Sequence, residues 1–369
     1  MAEPSEYEQA AWRDVQRFKG RPLSAALRSA GEGVSNGAAA LGRRAATYLE
    51  NHPGAQSTLS KGRDIAAKGA GVVGAGARKA AGVIPAGATD WSGTAAGSVQ
   101  RTLARISRAG LSPKRVVKLH QKRGHDVSKL SDLRRLDLEQ VHAVRGRALS
   151  WYYPATAAVS GMGAGLLISG GELATAASAG AAAAPSTGVI AGAFAGDAAI
   201  VLGLASRAVG HVSLLYGYDP EEPAEKIFVL SVVNAGTAVS TSAKSAALAD
   251  ISRLTQALVR GKTWKVLNES VVTRVAVKFT EAVGRDLTKK GLGKVVPVAG
   301  ILVGGTLNWT TLEGIVDTAD MAYRRRFLLE KYPQLLDEEP LEGVVVDDTD
   351  EDRISVLDQL VEEGGPDLR

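Results

Sequence analysis

A chain of 369 residues holds two or three domains of ordinary size, or one domain with tails. Aromatic residues at 5% and 42 glycines, with few β-branched alternations, argue against sheet and make helix the expectation. The absence of cysteine excludes disulfides and thiolate chemistry and agrees with a reducing cytoplasm. The net charge of +5 conceals a split: from Asp337 onward there are thirteen acidic residues and two arginines, net −11, which leaves +16 on residues 1–336. A basic body with an acidic tail points to an anionic partner: a phospholipid surface, nucleic acid, or the tail itself.

The N-terminus, MAEPSEYEQAAWRD, is acidic and lacks an apolar core, so it does not read as a signal peptide. Tyr7, Ala11, Val15 and Phe18, with Trp12 beside them, predict a short amphipathic helix ended by Gly20 and Pro22. Residues 1–110 otherwise read as a low-complexity Ala/Gly-rich basic arm with short helices, such as Ala39 to Leu49 or Lys61 to Ala81, and little to bury. Arg101 to Arg147 is the most basic segment, with thirteen Lys/Arg against four acidic residues. Pro113 starts a predicted helix, and Leu133, Leu136, Val141 and Val144 fall at helical spacing within a second run from Ser131. Arg115, Lys118, Lys122, Arg123, Arg134 and Arg135 are the candidate contacts to anionic lipid, at about 1 kcal/mol per basic residue near a membrane surface. No aromatic residue interleaves them, which ranks nucleic acid low as a partner.

The chain is organised around Ala148 to Tyr218. This stretch holds 24 uncharged residues, then Glu172, then 24 more closing on Asp197. Gly188, Gly192 and Gly196 stand four apart and predict a smooth helix-packing face, a glycine zipper. Each uncharged run would reach about 36 Å as helix, enough for a bilayer core of roughly 30 Å. Between Leu173 and Gly196, however, only Leu173, Val189, Ile190 and Phe194 drive insertion, while Asp197 and Arg207 oppose it at about 2.5 to 3.5 kcal/mol each near a bilayer centre. Packed small-residue helices are the expectation, whether they span, lie on or avoid the membrane.

After this come the turn at Asp219-Pro220, a helix entered at Pro223, an uncharged run from Ile227 to Ala243, and an amphipathic pattern from Ala246 to Lys290. Pro297 opens the last core element, where Gly300 and Gly304 form a second small-residue pair. Glu313, Asp317, Asp320 and Arg324 follow on one helical face, and Arg324, Arg325 and Arg326 suit a helix C-terminus. The domain is expected over residues 111–333. The acidic tail, 334–369, is expected to be disordered except for an amphipathic docking segment from Ile354 to Val361.

No catalytic motif survives inspection. The G-x-G-x-x-G string at Gly69, Gly71 and Gly74 follows no strand, and the phosphate-loop pattern before Lys262-Thr263 has Gln256 where glycine is required. Five histidines without an H-x-x-x-H pair, and no cysteine, argue against zinc. The Glu313/Asp317/Asp320 ladder could bind a cation or move protons, but an ion-pair ladder to Arg324 is the expected use.

Several separated blocks resemble the EcsC family: GAFAGD (Gly192 to Asp197), YG-x-D-P-x-x-P (Tyr216, Gly217, Asp219, to Pro223), the run from Pro297 to Asn308, and Ala319 or Ala322 leading to Tyr323, Arg324, Arg326 and Leu328. The resemblance covers about residues 115–332. It implies a mostly helical, membrane-linked bacterial protein with no established catalytic set, and the family's name carries an association with an ABC transporter operon. The expectation is therefore an all-α, Gly/Ala-rich helical bundle, non-enzymatic and without cofactor or metal, peripheral to or partly embedded in the inner face of the cell membrane. A soluble carrier of a lipid or other apolar ligand, an adaptor to ABC transporter components, and an oligomer remain as alternatives.

Overall fold

The first helix begins where the sequence supplies its own cap. In α1 (Glu6–Arg17) the Ser5 side chain accepts from the Glu8 amide while the Glu8 carboxylate accepts from the Ser5 amide, a reciprocal capping box. The computed structural model describes residues 3–20, 22, 112–146, 149–158, 187–261, 267–292, 300–336 and 354–368. Pro113 opens α2 (Pro113–Gln121), as its fixed φ favours at a first helical position. A 3₁₀ turn (Leu130–Arg135) then precedes α3 (Leu138–Arg145), which Asp137 caps through a 2.8 Å bond from the Glu139 amide. The single helix expected from Ser131 to Val144 is thus two elements, split at Leu136-Asp137 because the aspartate caps better than it continues a helix.

Residues 149–158 are helical (α4). Then come α5 (Thr187–Leu215), α6 (Pro223–Thr237), α7 (Thr241–Val259), α8 (Glu269–Leu292), α9 (Gly300–Lys331), a 3₁₀ turn (Pro333–Leu336) and α10 (Val356–Glu362). Among the described residues every regular element is helical and there is no strand, the all-α architecture expected. The amphipathic pattern from Ala246 to Lys290 is likewise two helices, parted where Gly261 takes a φ of +63°. Helix α9 does not end at the arginine triplet but continues to Lys331.

Helix α9 is the axis of the bundle. It packs against α5, α6, α7, α1 and both 3₁₀ turns, while α8 closes the far side against α5 and α6. Leu312, Ile315, Val316, Ala319, Phe327 and Leu328 of α9 are buried in one continuous core. Lys244 of α7 sits 2% exposed and donates to the Ala235 carbonyl (2.7 Å) and Thr318 Oγ1 (3.1 Å), tying α6, α7 and α9. Burial pushes its pKa down to about 8.

Both termini belong to this body. Ala11 and Trp12 of α1 are buried in the common core, and α1 packs on α3 and α9. Helix α1 is thus part of the packed bundle. The tail is also not wholly a disordered extension: α10 falls on the Ile354–Val361 patch and buries Val356, Leu357 and Leu360 against α8 and α6, with described backbone continuing to Leu368. The expected helices at 39–49 and 61–81, and Pro297, lie outside the described residues. Gly188, Gly192, Gly196 and Asp197 lie on the backbone of α5, and Gly300 and Gly304 open α9, but what surrounds their side-chain positions lies outside the description.

The glycine contact that the structure does describe is Gly236, where α6 meets α9. A Cβ there would stand 2.4 Å from Ile315 Cγ1 and 2.8 Å from Ile315 Cα, so the helices approach this closely only because position 236 has no side chain. Gly314 opposite is different, since its Cβ would find only the Gly236 carbonyl, at 3.8 Å. Gly236→Ala is expected to destabilise the fold by about 1–3 kcal/mol through overpacking. Gly314→Ala should stay within about 0.5 kcal/mol of the parent. Urea unfolding of the two variants checks the contrast, and equal stabilities would contradict it.

Candidate functional site

The YGYD segment is a helix terminus built to aim two tyrosines. At the end of α5 the Gly217 amide donates to the Leu214 carbonyl (3.1 Å) and the Tyr218 amide to the Ser213 carbonyl (3.0 Å). Gly217 takes a φ of +87°, the left-handed residue of a Schellman-type cap. An added Cβ would also lie 3.0 Å from the Leu130 carbonyl oxygen and 3.1 Å from Leu133 Cβ. Glycine is required both for the turn and for the neighbouring 3₁₀ segment. Asp219 continues the turn, its Oδ1 accepting from the Glu221 amide at 3.1 Å just before α6.

Tyr216 reaches one buried polar cluster. Its hydroxyl donates to Asp320 Oδ1 at 2.6 Å and lies 2.8 Å from His142 Nε2, while Tyr7 lies 2.8 Å from His142 Nδ1. Because the Tyr216 proton goes to Asp320, the network assigns the histidine proton to Nε2 and makes Nδ1 the acceptor from Tyr7. Asp320 also meets Arg145 Nη1 at 2.8 Å and Arg324 Nη2 at 2.6 Å. Burial, helped by the charges of Arg324 and Arg145 and opposed by Asp320, pushes His142 down to about 4, so it is neutral at neutral pH. Burial drives the Tyr216 hydroxyl well above its ordinary value, and the Asp320 charge adds to this.

Tyr218 reaches a second cluster. The Arg326 guanidinium lies 4.1 Å from the centre of the Tyr218 ring and 5.3 Å from that of Phe228, an enclosed cation–π arrangement. Arg326 pairs with Glu225 and, at 2.9 Å, with Glu330, which in turn holds Arg134 at 3.0 Å. Burial opposes the charge on Arg326, but Glu225, Tyr218 and Glu330 outweigh it and raise its pKa. Burial raises the Glu225 carboxyl as well and Arg326 pulls it back; the guanidinium, charged at any physiological pH, keeps the pair ionised. A third cluster centres on Glu8, 0% exposed, which accepts from Lys331 Nζ (2.7 Å), the Tyr332 hydroxyl (2.5 Å) and the Leu138 amide (3.1 Å).

Most of these groups pair with one another, although Arg145 Nε, Arg324 Nε and the Tyr218 hydroxyl are buried without a hydrogen-bond partner. Both oxygens of Asp320 and both ring nitrogens of His142 are engaged, which suits a scaffold rather than a proton-transfer centre. In the acidic ladder only Asp320 is buried; Glu313 is half-buried and Asp317 exposed. Among the described residues no group of three or more His, Cys, Asp or Glu could hold a metal ion. Of the residues singled out in the family blocks, Tyr216, Gly217, Asp219, Tyr323 and Arg324 come together here, with Tyr323 3.4 Å from Glu225, while Asn308 is buried further up α9.

The basic candidates divide. Arg115, Lys118, Lys122 and Arg123 form the exposed side of α2 and its end, whose other face buries Val116, Val117 and His120. Arg135 is exposed and pairs with Asp132 at 2.5 Å, whereas Arg134 turns inward to Glu330 and the Tyr218 ring. Sequence reasoning passed over an aromatic pair: Trp151 and Tyr152 of α4 are 59% and 49% exposed. His211 of α5 lies 3.3 Å from the Tyr153 hydroxyl of α4, and burial, helped by the charges of Arg207 and Arg115, lowers its pKa. Leu119, 43% exposed, adds an apolar side chain to the basic face of α2. Glu8, His142, Arg145 and Glu225 were also passed over; only Glu8 left a local signal, the S-x-x-E capping pattern.

The sequence pattern of the EcsC protein family matches residues 79–328. The chain belongs to the EcsC family. It is also similar to the uncharacterized protein YdbA of Bacillus subtilis (strain 168), 29% identical over 139 residues, which are 37% of this chain and 48% of that one. The match thus spans about half the length of that relative. No solved structure matches. The family region takes in the YGYD turn and most of α9 but ends before Glu330 and Lys331, and excludes α1 and α10.

The buried histidines give the fold a pH dependence. Burial, with the charges of His125 and Arg123, also pushes His120 down to about 4. A histidine held below its ordinary 6.5 stays neutral in the fold while the unfolded chain takes up a proton, so its stabilisation is complete above pH 6.5 and declines toward pH 4. Glu8, lowered because its hydrogen-bond donors outweigh the effect of burial, adds a loss as pH falls through the carboxylate range. The urea midpoint is expected to fall steadily as pH drops from about 6.5 to 4.5. An unchanged midpoint would contradict the neutral state of buried His120 and half-buried His142 in the fold.

Proposed function

We propose that this EcsC protein is a non-enzymatic membrane-surface protein. It docks on anionic phospholipid at the cytoplasmic face through α2 and α4. The observations that carry this reading are an exposed basic row on α2 (Arg115, Lys118, Lys122, Arg123) and exposed Trp151 and Tyr152 on α4, two helices that each touch α5, α2 by packing and α4 through the Tyr153–His211 contact. Basic side chains are drawn to anionic headgroups, and tryptophan and tyrosine favour the headgroup boundary, where an apolar ring body and a polar edge are both accommodated. The uncharged stretch from Ala148 to Gly171 carries these aromatics near its start. Among the described residues no helix is long and apolar enough to cross a membrane, which suits attachment from one side. The Gly/Ala-rich segments would then pack on the bundle or enter the interface.

The test is co-sedimentation with phosphatidylglycerol-containing vesicles. Binding is expected at low salt and should weaken as salt is added, because exposed charges are screened over about 10 Å at 0.1 M. Replacing Lys118, Lys122 and Arg123 by Gln should weaken binding by about fivefold per charge, and Trp151→Ala should remove most of what survives high salt. Absence of binding at low salt would overturn the reading. Co-purified lipid on a vesicle-indifferent protein would favour a carrier instead.

A further inference from the structure

We infer that α8 carries a second contact surface for anionic phospholipid and that the protein's own acidic C-terminal segment covers it. This inference rests on the membrane-surface reading above. Arg274 and Lys278 stand one turn apart on α8, and both are engaged by the tail. Arg274 Nε meets Glu363 Oε2 at 2.5 Å and its Nη2 donates to the Glu363 carbonyl at 3.0 Å. Lys278 Nζ meets Glu363 at 2.7 Å and Glu362 at 3.3 Å. Positions 285 and 289, an arginine and a lysine, follow on α8 eleven and fifteen residues after Arg274, and at about 100° per residue they stay in line with 274 and 278. Four basic positions thus share one face of one helix, and the acidic tail pairs with the first two.

The cover is built to be exchanged. Helix α10 has seven residues, too few to persist as an isolated helix, so it depends on its docking. That docking includes the buried side chains of Val356, Leu357 and Leu360, with Leu368 beyond the helix, the 2.8 Å bond from Ser355 to Asp250, the 2.6 Å bond from Asn234 to the Ile354 carbonyl, and the pairs to α8. The side chains of Arg274 and Lys278 remain 50% and 46% exposed even with the tail in place. Exposed pairs of this kind are individually weak and salt-screened, and attraction of a basic residue to an anionic leaflet is of the same order. Phosphodiester oxygens present the same chemistry to Arg274 and Lys278 as the glutamate oxygens they would replace. The stretch 337–353, with nine acidic residues and one arginine, would be repelled from the same bilayer and favours lifting the tail away.

The test uses the full chain with Glu362→Gln and Glu363→Gln together. A control, Asp347→Asn with Asp348→Asn, makes the same change in net charge while leaving Glu362 and Glu363 in place. Phosphatidylglycerol vesicle affinity and hydrogen exchange of residues 354–368 are read for all three proteins. The expected result is that vesicles raise exchange across 354–368 in the parent, and that the glutamate variant binds about tenfold more tightly at low salt while the control changes by less than about twofold. The inference is overturned if the glutamate variant binds no tighter than the control. It is equally overturned if 354–368 stays protected on saturating vesicles. Either result leaves the α2 and α4 surface standing if the parent binds. Failure of all three proteins to bind removes both.

Discussion

Ionised groups in an interior need an opposite charge or a full set of hydrogen bonds, and the C-terminal half of α9 supplies them here. Asp320 meets Arg145 of α3 and Tyr216 of the YGYD turn; Arg326 meets Glu225 of α6; Glu330 meets Arg134 of the first 3₁₀ turn; Lys331 meets Glu8 of α1. Arg325 reaches Ser252 of α7 at 2.5 Å. Helices α1, α3, α6 and α7, the first 3₁₀ turn and the YGYD turn are each keyed to α9 by a polar contact as well as by apolar burial. A wrong packing of small, interchangeable Ala and Val side chains would strand a charge. That gives a Gly/Ala-rich sequence a reason to carry so much charge inside.

The YGYD motif takes its meaning from this arrangement. Gly217 reverses the chain at the end of α5 with a backbone conformation and a closeness to Leu130 that a side chain would not permit. The flanking tyrosines then part, Tyr216 to the Asp320 cluster and Tyr218 to the Arg326 cluster. Of the motif residues named by the EcsC resemblance, Tyr216, Tyr323, Arg324 and Arg326 fall in these two clusters, where their partners are other side chains of the fold. The features pointing toward a partner are elsewhere, on the exposed side of α2 and α4 and under the acidic tail. The YGYD turn and the exposed side of α2 and α4 are different parts of the molecule.

What the sequence made legible was whatever is local. The amphipathic helix near the N-terminus, the proline entry to α2 and α6, the turn at Asp219-Pro220 and the apolar spacing of 354–361 each depend on a few adjacent residues, and each reads correctly. Pairings across long separations were not legible. Glu8 and Lys331 are 323 positions apart, and nothing in composition says which of 44 basic residues the glutamate will meet. Arg134 shows the same limit at close range. It looks like its neighbour Arg135, but the 3₁₀ turn points one guanidinium at Glu330 and leaves the other outside. Trp151 and Tyr152 were hidden by their setting, since aromatics at the edge of an uncharged run look like core until the helix is placed.

The central claim is that the YGYD turn and α9 are coupled through buried polar contacts, with Tyr216 and Asp320 at their centre. A double-mutant cycle of Tyr216→Phe and Asp320→Asn, read by urea unfolding at neutral pH, tests it most directly. The account predicts that each single variant destabilises the fold and that the pair is non-additive by about 1 kcal/mol or more, as expected for residues in one buried network. Additivity within about 0.3 kcal/mol would mean that the two groups act independently and would contradict the account.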